Sequence, residues 1–449
     1  MSNEQQTKAG GRPRLTLQQA IAEASRCLLC HDAPCSQACP GGTDPGKFIR
    51  QIRFFNFKGA ARTVLRNNPL GGVCTYVCPT EDTCVKACLR SGLDRPIDID
   101  GLQRFAVDYG RQMGVKALAR ETGQDRAERV AIVGAGPAGI TAAAKLAQLG
   151  YKVTLIEARE KVGGMLRYGV PESRLSEANL DADLEEILGL GVEVRASHRI
   201  ADEDAALGLI DQGFAAVFVA PGLWKPVTLS TPGIDLDGVT SAIELLTGAR
   251  ADIEKTRALV KERNVAVIGG GSVAMDVAHV SRELGARRVY AVALESMTQL
   301  PANEREFALA LKDGFVIKPP CMVTMILGDG GKVNGVEGVE TEWIDPSGPL
   351  VPSNARPIEG TSFTLRVQTV VQAIGQGPTA AVGGIVAAAE KRRGLLAADE
   401  ATQATSVPKV YAGGDVVRGA GTVIQAVGDG KRAAEAIHEL LSGSKEVTS

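Results

Sequence analysis

Two stretches of this chain share one rhythm of apolar and polar positions. RVAIVGAGPAGITAAAKLAQLGYKVTLIEAR, from Arg129, is an apolar run, a glycine turn, an alanine-rich segment of helical length and a second apolar run ending at Glu157. NVAVIGGGSVAMDVAHVSRELGARRVYAVALE repeats the order from Asn264. Short continuous apolar runs predict strands buried on both faces, and the longer segment between them predicts a helix. Each stretch is therefore expected to be a βαβ unit. Upstream, Pro45 to Phe55 and Lys58 to Arg66 read as short helices, and the polar stretch Lys116 to Arg129 reads as a linker. Near the C-terminus, VYAGGDVVRGAGTVIQAVGDGKRAAEAI predicts a strand, a glycine turn carrying Asp415, and a helix beginning around Thr422.

The first turn holds Gly134, Gly136 and Gly139 in G-x-G-x-x-G spacing, with Pro137 and Ala138 between them. The first glycine permits the tight turn, the second lets a pyrophosphate approach the backbone, and the third lets helix and strand pack closely. Glu157 lies 23 positions beyond Gly134 (157 − 134), where a carboxylate accepts hydrogen bonds from an adenosine ribose. A glycine turn alone is often purely structural, but strand, helix and acid together predict a dinucleotide site. The second turn runs Gly269, Gly270, Gly271, Ser272, Val273, Ala274, a G-x-G-x-x-A variant. Leu294-Glu295 ends its second strand, and no arginine lies between Val289 and Pro301. A carboxylate repels the 2′-phosphate of NADP, so Glu295 predicts NAD unless it is merely a solvated loop acid.

Asp415, behind its short strand, can hydrogen-bond a polyol while the helix starting at Thr422 and Val423 faces a pyrophosphate. Its place after the second unit suggests that the C-terminal segment returns to the first domain. The expected class is α/β: two Rossmann-like dinucleotide-binding domains, one inserted in the other, preceded by an α-helical domain. The expected boundaries are 1–115 for the helical domain, 116–129 for the linker, 130–240 and 361–449 for the first nucleotide domain, and 241–360 for the insertion.

Composition alone is bland: net charge is −2, apolar residues are 44%, and no apolar run approaches a membrane span. Nothing basic suggests nucleic acid. The cysteines change the picture, because eight of nine fall in two bursts, Cys27, Cys30, Cys35, Cys39 and Cys74, Cys78, Cys84, Cys88. Residues 1–26 contain no apolar export stretch, so disulfides are disfavoured and a reducing, cytoplasmic setting is expected. Zinc favours paired Cys-x2-Cys knuckles, and only Cys27 and Cys30 have that spacing. A Cys-x2-Cys run continued by further cysteines, with Cys39-Pro40 and Cys78-Pro79, suits iron–sulfur clusters, and eight thiols suit two 4Fe-4S clusters.

GAGPAGITAA, GGMLRYGVPESRL from Gly163, AIGQGP from Ala373 and YAGGDVV together resemble the two-nucleotide flavoproteins that include the glutamate synthase small subunit and the N-terminal part of dihydropyrimidine dehydrogenase. SRCLLCHDAPCSQACPGGTDPGKFIRQI, NPLGGVCTYVCPTEDTCVKAC and PIDIDGLQRFA look most like the pyrimidine enzymes. The resemblance implies an FAD site at Gly134 to Gly139, Glu157, Gly164, Met165, Arg174, Asp415, Thr422 and Val423. It implies a nicotinamide site at Gly270 to Val273 and at Ala373, Ile374 and Gly375. It also implies one cluster on Cys27, Cys30, Cys35 and Cys88, and a second on Cys39, Cys78, Cys84 and the amide oxygen of Gln103, leaving Cys74 spare. The alternative is that Gln103 caps a helix and Cys74 is the eighth ligand.

Two positions depart from the family pattern: Ala220-Pro221-Gly222 stands for Ala-Thr-Gly, and Leu294-Glu295 replaces the arginine of NADPH-using members. The implied activity is NADH oxidation, with electrons passing through FAD and the clusters to an FMN- and iron–sulfur-containing catalytic subunit that reduces pyrimidines. The three regions use up the length, so the FMN barrel is expected on another chain. A glutamate synthase small subunit, or a binding module with clusters as staples or sensor, are the competing readings. Cys321 has no cysteine neighbour, which argues against a disulfide-reductase mechanism.

Overall fold

A computed structural model describes residues 14–120, 125–200, 202–318 and 320–443. Helices α1 (Leu17–Ser25), α2 (Pro45–Arg53), α3 (Phe57–Asn67), α4 (Gly71–Val77) and α5 (Ile99–Gln112) come first. Next are β1 (Arg129–Val133), α6 (Pro137–Gln148), β2 (Lys152–Ile156), α7 (Glu177–Leu188), β3 (Glu193–Arg195) and β4 (Ala216–Val219). Then follow β5 (Val239–Ser241), β6 (Asn264–Ile268), α8 (Ser272–Glu283), β7 (Arg288–Val292), β8 (Val316–Lys318), β9 (Cys321–Asp329), β10 (Lys332–Trp343) and β11 (Thr369–Gln372). The last principal elements are β12 (Val410–Ala412) and α9 (Val423–Ser442).

The chain forms two compact units: one runs to Arg167 and adds Glu172–Leu223 and the segment from Pro378, the other comprises Tyr168–Pro171 and Trp224–Gly377. In the first, the helical segment and a parallel sheet of order β12-β4-β1-β2-β3 belong together. The helices begin where short polar side chains satisfy free amides: Thr16 in a capping box, Asp44 before Pro45, Asn56, and Asp98. Their buried faces, Phe48, Ile49 and Ile52 on α2, Ala61 and Val64 on α3, and Leu102 and Ala106 on α5, form one core. Gly110 lets α5 approach Ala61, where a β-carbon would collide. Two of these helices match the sequence reading, but α2 stops at Arg53 because Phe55 takes a left-handed φ of +61°.

The apolar runs are buried as expected, with Val130 through Val133 on β1 pairing both β2 and β4. β12 adds to β4, and α9 packs on α6 with Gly430 against the Ala138 carbonyl, so the chain returns to the first sheet. The stretch read as a linker is partly anchored: Ala117 and Leu118 are buried, while 121–124 lie outside the described residues.

The second unit holds a parallel sheet of order β5-β11-β6-β7-β8 and an antiparallel ladder built on β9 and β10. The insertion thus runs from Trp224 to Gly377, wider than the sequence boundaries of 241 and 360. The reason is β11, whose Val370 and Val371 are fully buried and pair beside β6 instead of joining the first sheet. Among the described residues, no helix is long and apolar enough to cross a membrane.

One ion-pair cluster in this unit sets a pH dependence. His279 on α8 meets Glu283 at 3.4 Å and Asp313 at 2.5 Å. Hydrogen bonding to Glu283, then to Asp313, pushes the imidazole up to about 9 against partial burial. A pKa raised from 6.5 contributes stability that is complete below 6.5 and lost as pH rises through about 9. His279→Gln should therefore cost roughly 1–2 kcal/mol at pH 6 and much less at pH 10, read as a shift of the thermal midpoint across pH.

Candidate functional site: two nucleotide turns and two thiol pockets

The three glycines of the first turn do different work. Gly134 sits at φ +101°, and a β-carbon there would strike the Ala220 carbonyl; one at Gly139 would strike the Gly134 carbonyl. Gly136, which caps α6, has no protein atom within 4 Å of a β-carbon position. The turn thus packs tightly on two sides and stays open on the third, beside the free amides of Pro137–Gln148, which is the cradle a pyrophosphate needs. Gly164 (φ +53°) closes against this turn, its β-carbon position 2.7 Å from the Gly136 α-carbon, and Gly163 donates to the Ala135 carbonyl at 2.8 Å. Met165 follows at the start of a short helix, Met165–Tyr168, and Arg174 is half-buried in the turn before α7.

Glu157, immediately after β2, is buried and accepts the Ala135 amide at 2.9 Å and the Arg159 amide at 2.8 Å. Each oxygen keeps a lone pair for a ribose hydroxyl. Asp415 opens a short helix, Asp415–Arg418, and burial pushes its carboxyl up to about 6, opposed by the Gly421 amide. Thr422 caps α9 in a reciprocal box with Gln425, leaving Val423 as its first residue. Sequence reasoning passed over Asp429, which is fully buried, accepts the Gly414 amide at 2.8 Å and binds Arg418 and Arg432. It fixes the turn that carries Asp415.

In the second unit, Gly269 (φ +126°) backs onto the Ala373 carbonyl and Gly271 caps α8. Ser272 begins α8, Val273 faces solvent, and Ala274 is buried where the third glycine stands in the first turn. A β-carbon on Gly270 would lie 3.5 Å from a Glu295 carboxylate oxygen. Glu295 is half-buried beside the turn. Ala373 donates to the Ile268 carbonyl at 2.8 Å, Ile374 packs on a buried cluster with Val370, and Gly375 takes φ +118°. The second turn and the segment after β11 are thereby adjacent.

The helical segment sorts its cysteines across the two bursts. Cys27, Cys30, Cys35 and Cys88 line one pocket. Cys39, Cys74, Cys78, Cys84 and Gln103 line another, with Thr43, Asn68 and Ile424. Among the described residues no three His, Cys, Asp or Glu side chains converge tightly enough for one metal ion. A cluster needs a looser shell, since each donor meets a different iron atom.

Burial, with Cys27 and Cys88 nearby, pushes Cys35 up to about 11; burial likewise holds Cys84 and Cys74 up at about 12. Thiols so reluctant to ionise alone suit a site where a cationic centre draws off the protons. Thr43 Oγ1 is buried with no partner among the described residues and sits in the second pocket, free to donate to a cluster sulfur. Gln103 does not cap its helix, a role Asp98 fills; its Nε2 donates to the Gly71 carbonyl at 2.7 Å, and no described residue binds its Oε1. Asn68 Nδ2 donates to the Cys74 sulfur at 3.2 Å.

One buried carboxylate joins the helical segment to the sheet. Helix α4, which carries Cys74 and stops at Cys78, has no side-chain cap of its own. Asp183 on α7 takes that place: it is fully buried, accepts the Val73 amide at 2.7 Å and meets Arg111 of α5 at 2.5 Å. Burial raises it to about 6, with Arg111 and the Val73 amide opposing.

Two dinucleotide folds in series with a thiol-rich helical domain define a two-nucleotide oxidoreductase of the iron–sulfur class. Residues 5–115 match the family described as dihydropyrimidine dehydrogenase domain II, 4Fe-4S cluster, and residues 128–430 match the pyridine nucleotide-disulphide oxidoreductases. The chain is 40% identical over 434 residues to the NAD-dependent dihydropyrimidine dehydrogenase subunit PreT of Escherichia coli K12, covering 96% of this chain and 97% of that one. It is 34% identical to the NADP(+)-dependent formate dehydrogenase subunit beta of Moorella thermoacetica, over 91% of this chain and 60% of that one. Among solved structures, Mycobacterium tuberculosis FprA in complex with NADPH is similar in fold, with TM-score 0.59, 19% identity, and coverage of 72% and 86%. The chain belongs to the family of the NAD-dependent dihydropyrimidine dehydrogenase subunits PreT.

Proposed function

We propose that this chain is the electron-input subunit of an NAD-dependent dihydropyrimidine dehydrogenase, serving a separate FMN- and iron–sulfur-containing subunit that reduces uracil or thymine to the 5,6-dihydro forms. FAD, when bound, would supply hydride acceptance from NADH, and two 4Fe-4S groups would supply single-electron transfer, which is the cofactors' own chemistry. The observation that carries this reading is the pair of separate thiol pockets in one unit with the first nucleotide turn.

The residues supply positions. Gly136 leaves room for the FAD pyrophosphate, Glu157 holds the ribose, and Asp415 with the Thr422 end of α9 meets the remaining hydroxyls and phosphate. Glu295 beside Gly270 favours NADH over NADPH. Cys27, Cys30, Cys35 and Cys88 would hold one cluster; Cys39, Cys78, Cys84 and Gln103 Oε1 would hold the other. The anchored Gln103 amide supports that ligand set, with burial favouring a neutral Cys74 thiol against the opposing Asn68 hydrogen bond. Eight thiols in such pockets suit a reducing, cytoplasmic compartment.

Anaerobically purified protein should carry flavin, iron and acid-labile sulfide, oxidise NADH faster than NADPH with ferricyanide, and leave uracil unchanged until the FMN subunit is added. Uracil reduction by this chain alone, or equal use of NADPH, would defeat the reading or its nucleotide part. Because a neutral amide leaves its cluster one negative charge lighter than a thiolate would, Gln103→Cys should lower one midpoint in an EPR-monitored redox titration. No change would return the eighth position to Cys74.

A further inference from the structure

We infer that an exposed apolar patch around the outer thiol pocket is the docking surface for the redox partner; this rests on the function proposed above. The two pockets face differently. The one with Gln103 is walled by Ile424 of α9, beside the Thr422 end assigned to the flavin, whereas the one with Cys27 and Cys88 is walled by Leu28 and Leu89 and by no residue of the nucleotide folds. A partner's electron carrier can approach that pocket without crossing the nucleotide folds.

That side is unusually apolar. Phe54 (63%), Phe55 (65%), Leu89 (57%) and Leu93 (69%) are exposed, and Leu28 is less so at 43%. Contacts link parts of this surface: Arg53 lies over the Phe54 ring and donates to the Cys27 carbonyl, Arg90 donates to the Arg26 carbonyl from the short helix that bears Leu89 and is capped by Leu93, and Phe55 meets Phe57 edge-on. Phe55 takes a left-handed φ of +61° as the residue that closes α2, with the Asn56 amide bonded to the Gln51 carbonyl at 2.8 Å, and its side chain is left exposed. Exposed aromatic and leucine side chains ringed by arginine are the composition of an interface core and rim.

The rim also fixes the sign of the partner. Arg26, Arg90 and Arg95 share Glu23 and Asp94, Asp32 meets His31, and no described carboxylate pairs with Arg53, so four guanidinium groups stand among three carboxylates. The occupant is an acidic face of the FMN- and iron–sulfur-containing subunit, placed so that its own redox centre comes up against the outer pocket.

The test is binding of the purified FMN subunit to anaerobic holo-protein, followed by sedimentation, for wild type and for Phe55→Asp and Leu93→Asp. Neither residue lines a thiol pocket, so flavin content, cluster EPR and NADH–ferricyanide turnover should be unchanged. Association should weaken by about tenfold or more for each variant, more at low salt, and NADH-driven uracil reduction should fall at subsaturating partner. Variants that bind like wild type while wild type supports uracil reduction would overturn the surface alone. Failure of wild type to bind or feed the FMN subunit would overturn the functional reading and the surface together. Self-association of wild type through this patch, abolished by the same variants with partner binding intact, would assign it to a second copy and overturn the proposal.

Discussion

Gly136→Val protein will lose no more than about 1 kcal/mol in its flavin-free form, from the poorer helix cap that valine makes, yet bind flavin at least about tenfold more weakly, a loss of ~1.4 kcal/mol. Gly134→Ala will be destabilised by more than that before any ligand is considered. The contrast follows from what each β-carbon meets. At Gly136 the space is empty of protein within 4 Å and φ is −83°, an ordinary value, so the only thing displaced is a ligand. At Gly134 the new atom collides with the Ala220 carbonyl, approaches the Pro221 α-carbon at 2.8 Å, and must hold φ +101°. Those neighbours are backbone and cannot rotate away, so a cost of roughly 2–4 kcal/mol is expected. Flavin absorbance per chain and the thermal midpoint of flavin-free protein separate the two effects. Full flavin content in Gly136→Val would show that the pyrophosphate does not lie there.

Asp183→Ala should cost about 3–5 kcal/mol, because it strands Arg111 in a partly buried site and uncaps α4 at once. Asp183→Asn, which keeps an acceptor for the Val73 amide but cannot balance Arg111, should lose less. The readout is the thermal midpoint together with iron retained per chain through a desalting step. If α4 is held chiefly by this carboxylate, the alanine variant loses iron from the Cys39 pocket first, since Cys78 follows directly on α4. Retention of both stability and iron would mean that other α4 contacts suffice.

Much of this architecture was legible because it rests on local pattern. The runs at Val130–Val133 and Val265–Ile268 are continuous and β-branched, and each is followed by a glycine turn whose spacing has one main structural meaning. Thr422 was readable as a helix start because a polar cap precedes a long apolar periodicity. What stayed hidden depends on contacts between distant segments. Asp183 lies in an acidic helix, EANLDADLEEIL, where nothing distinguishes it from its solvated neighbours until α4 is laid against it. β11 is only four residues long, and its membership in the second sheet is decided by β5 and β6 on either side. The β9–β10 ladder carries register shifts near Val323 and Leu327 that break the alternation a strand would show. The pairing of thiols was not legible from spacing either: by count each burst supplies four donors, whereas the pockets mix Cys88 with the first burst and Cys39 with the second.

That exchange of one cysteine between bursts orders events in the life of the chain. The lining of neither pocket is complete when the ribosome has made the first burst alone; Cys88 must arrive to finish one, and the stretch from Cys74 to Gln103 to finish the other. Any group that thiols of both bursts hold must therefore wait until the chain through Gln103 has emerged and folded back on the first burst.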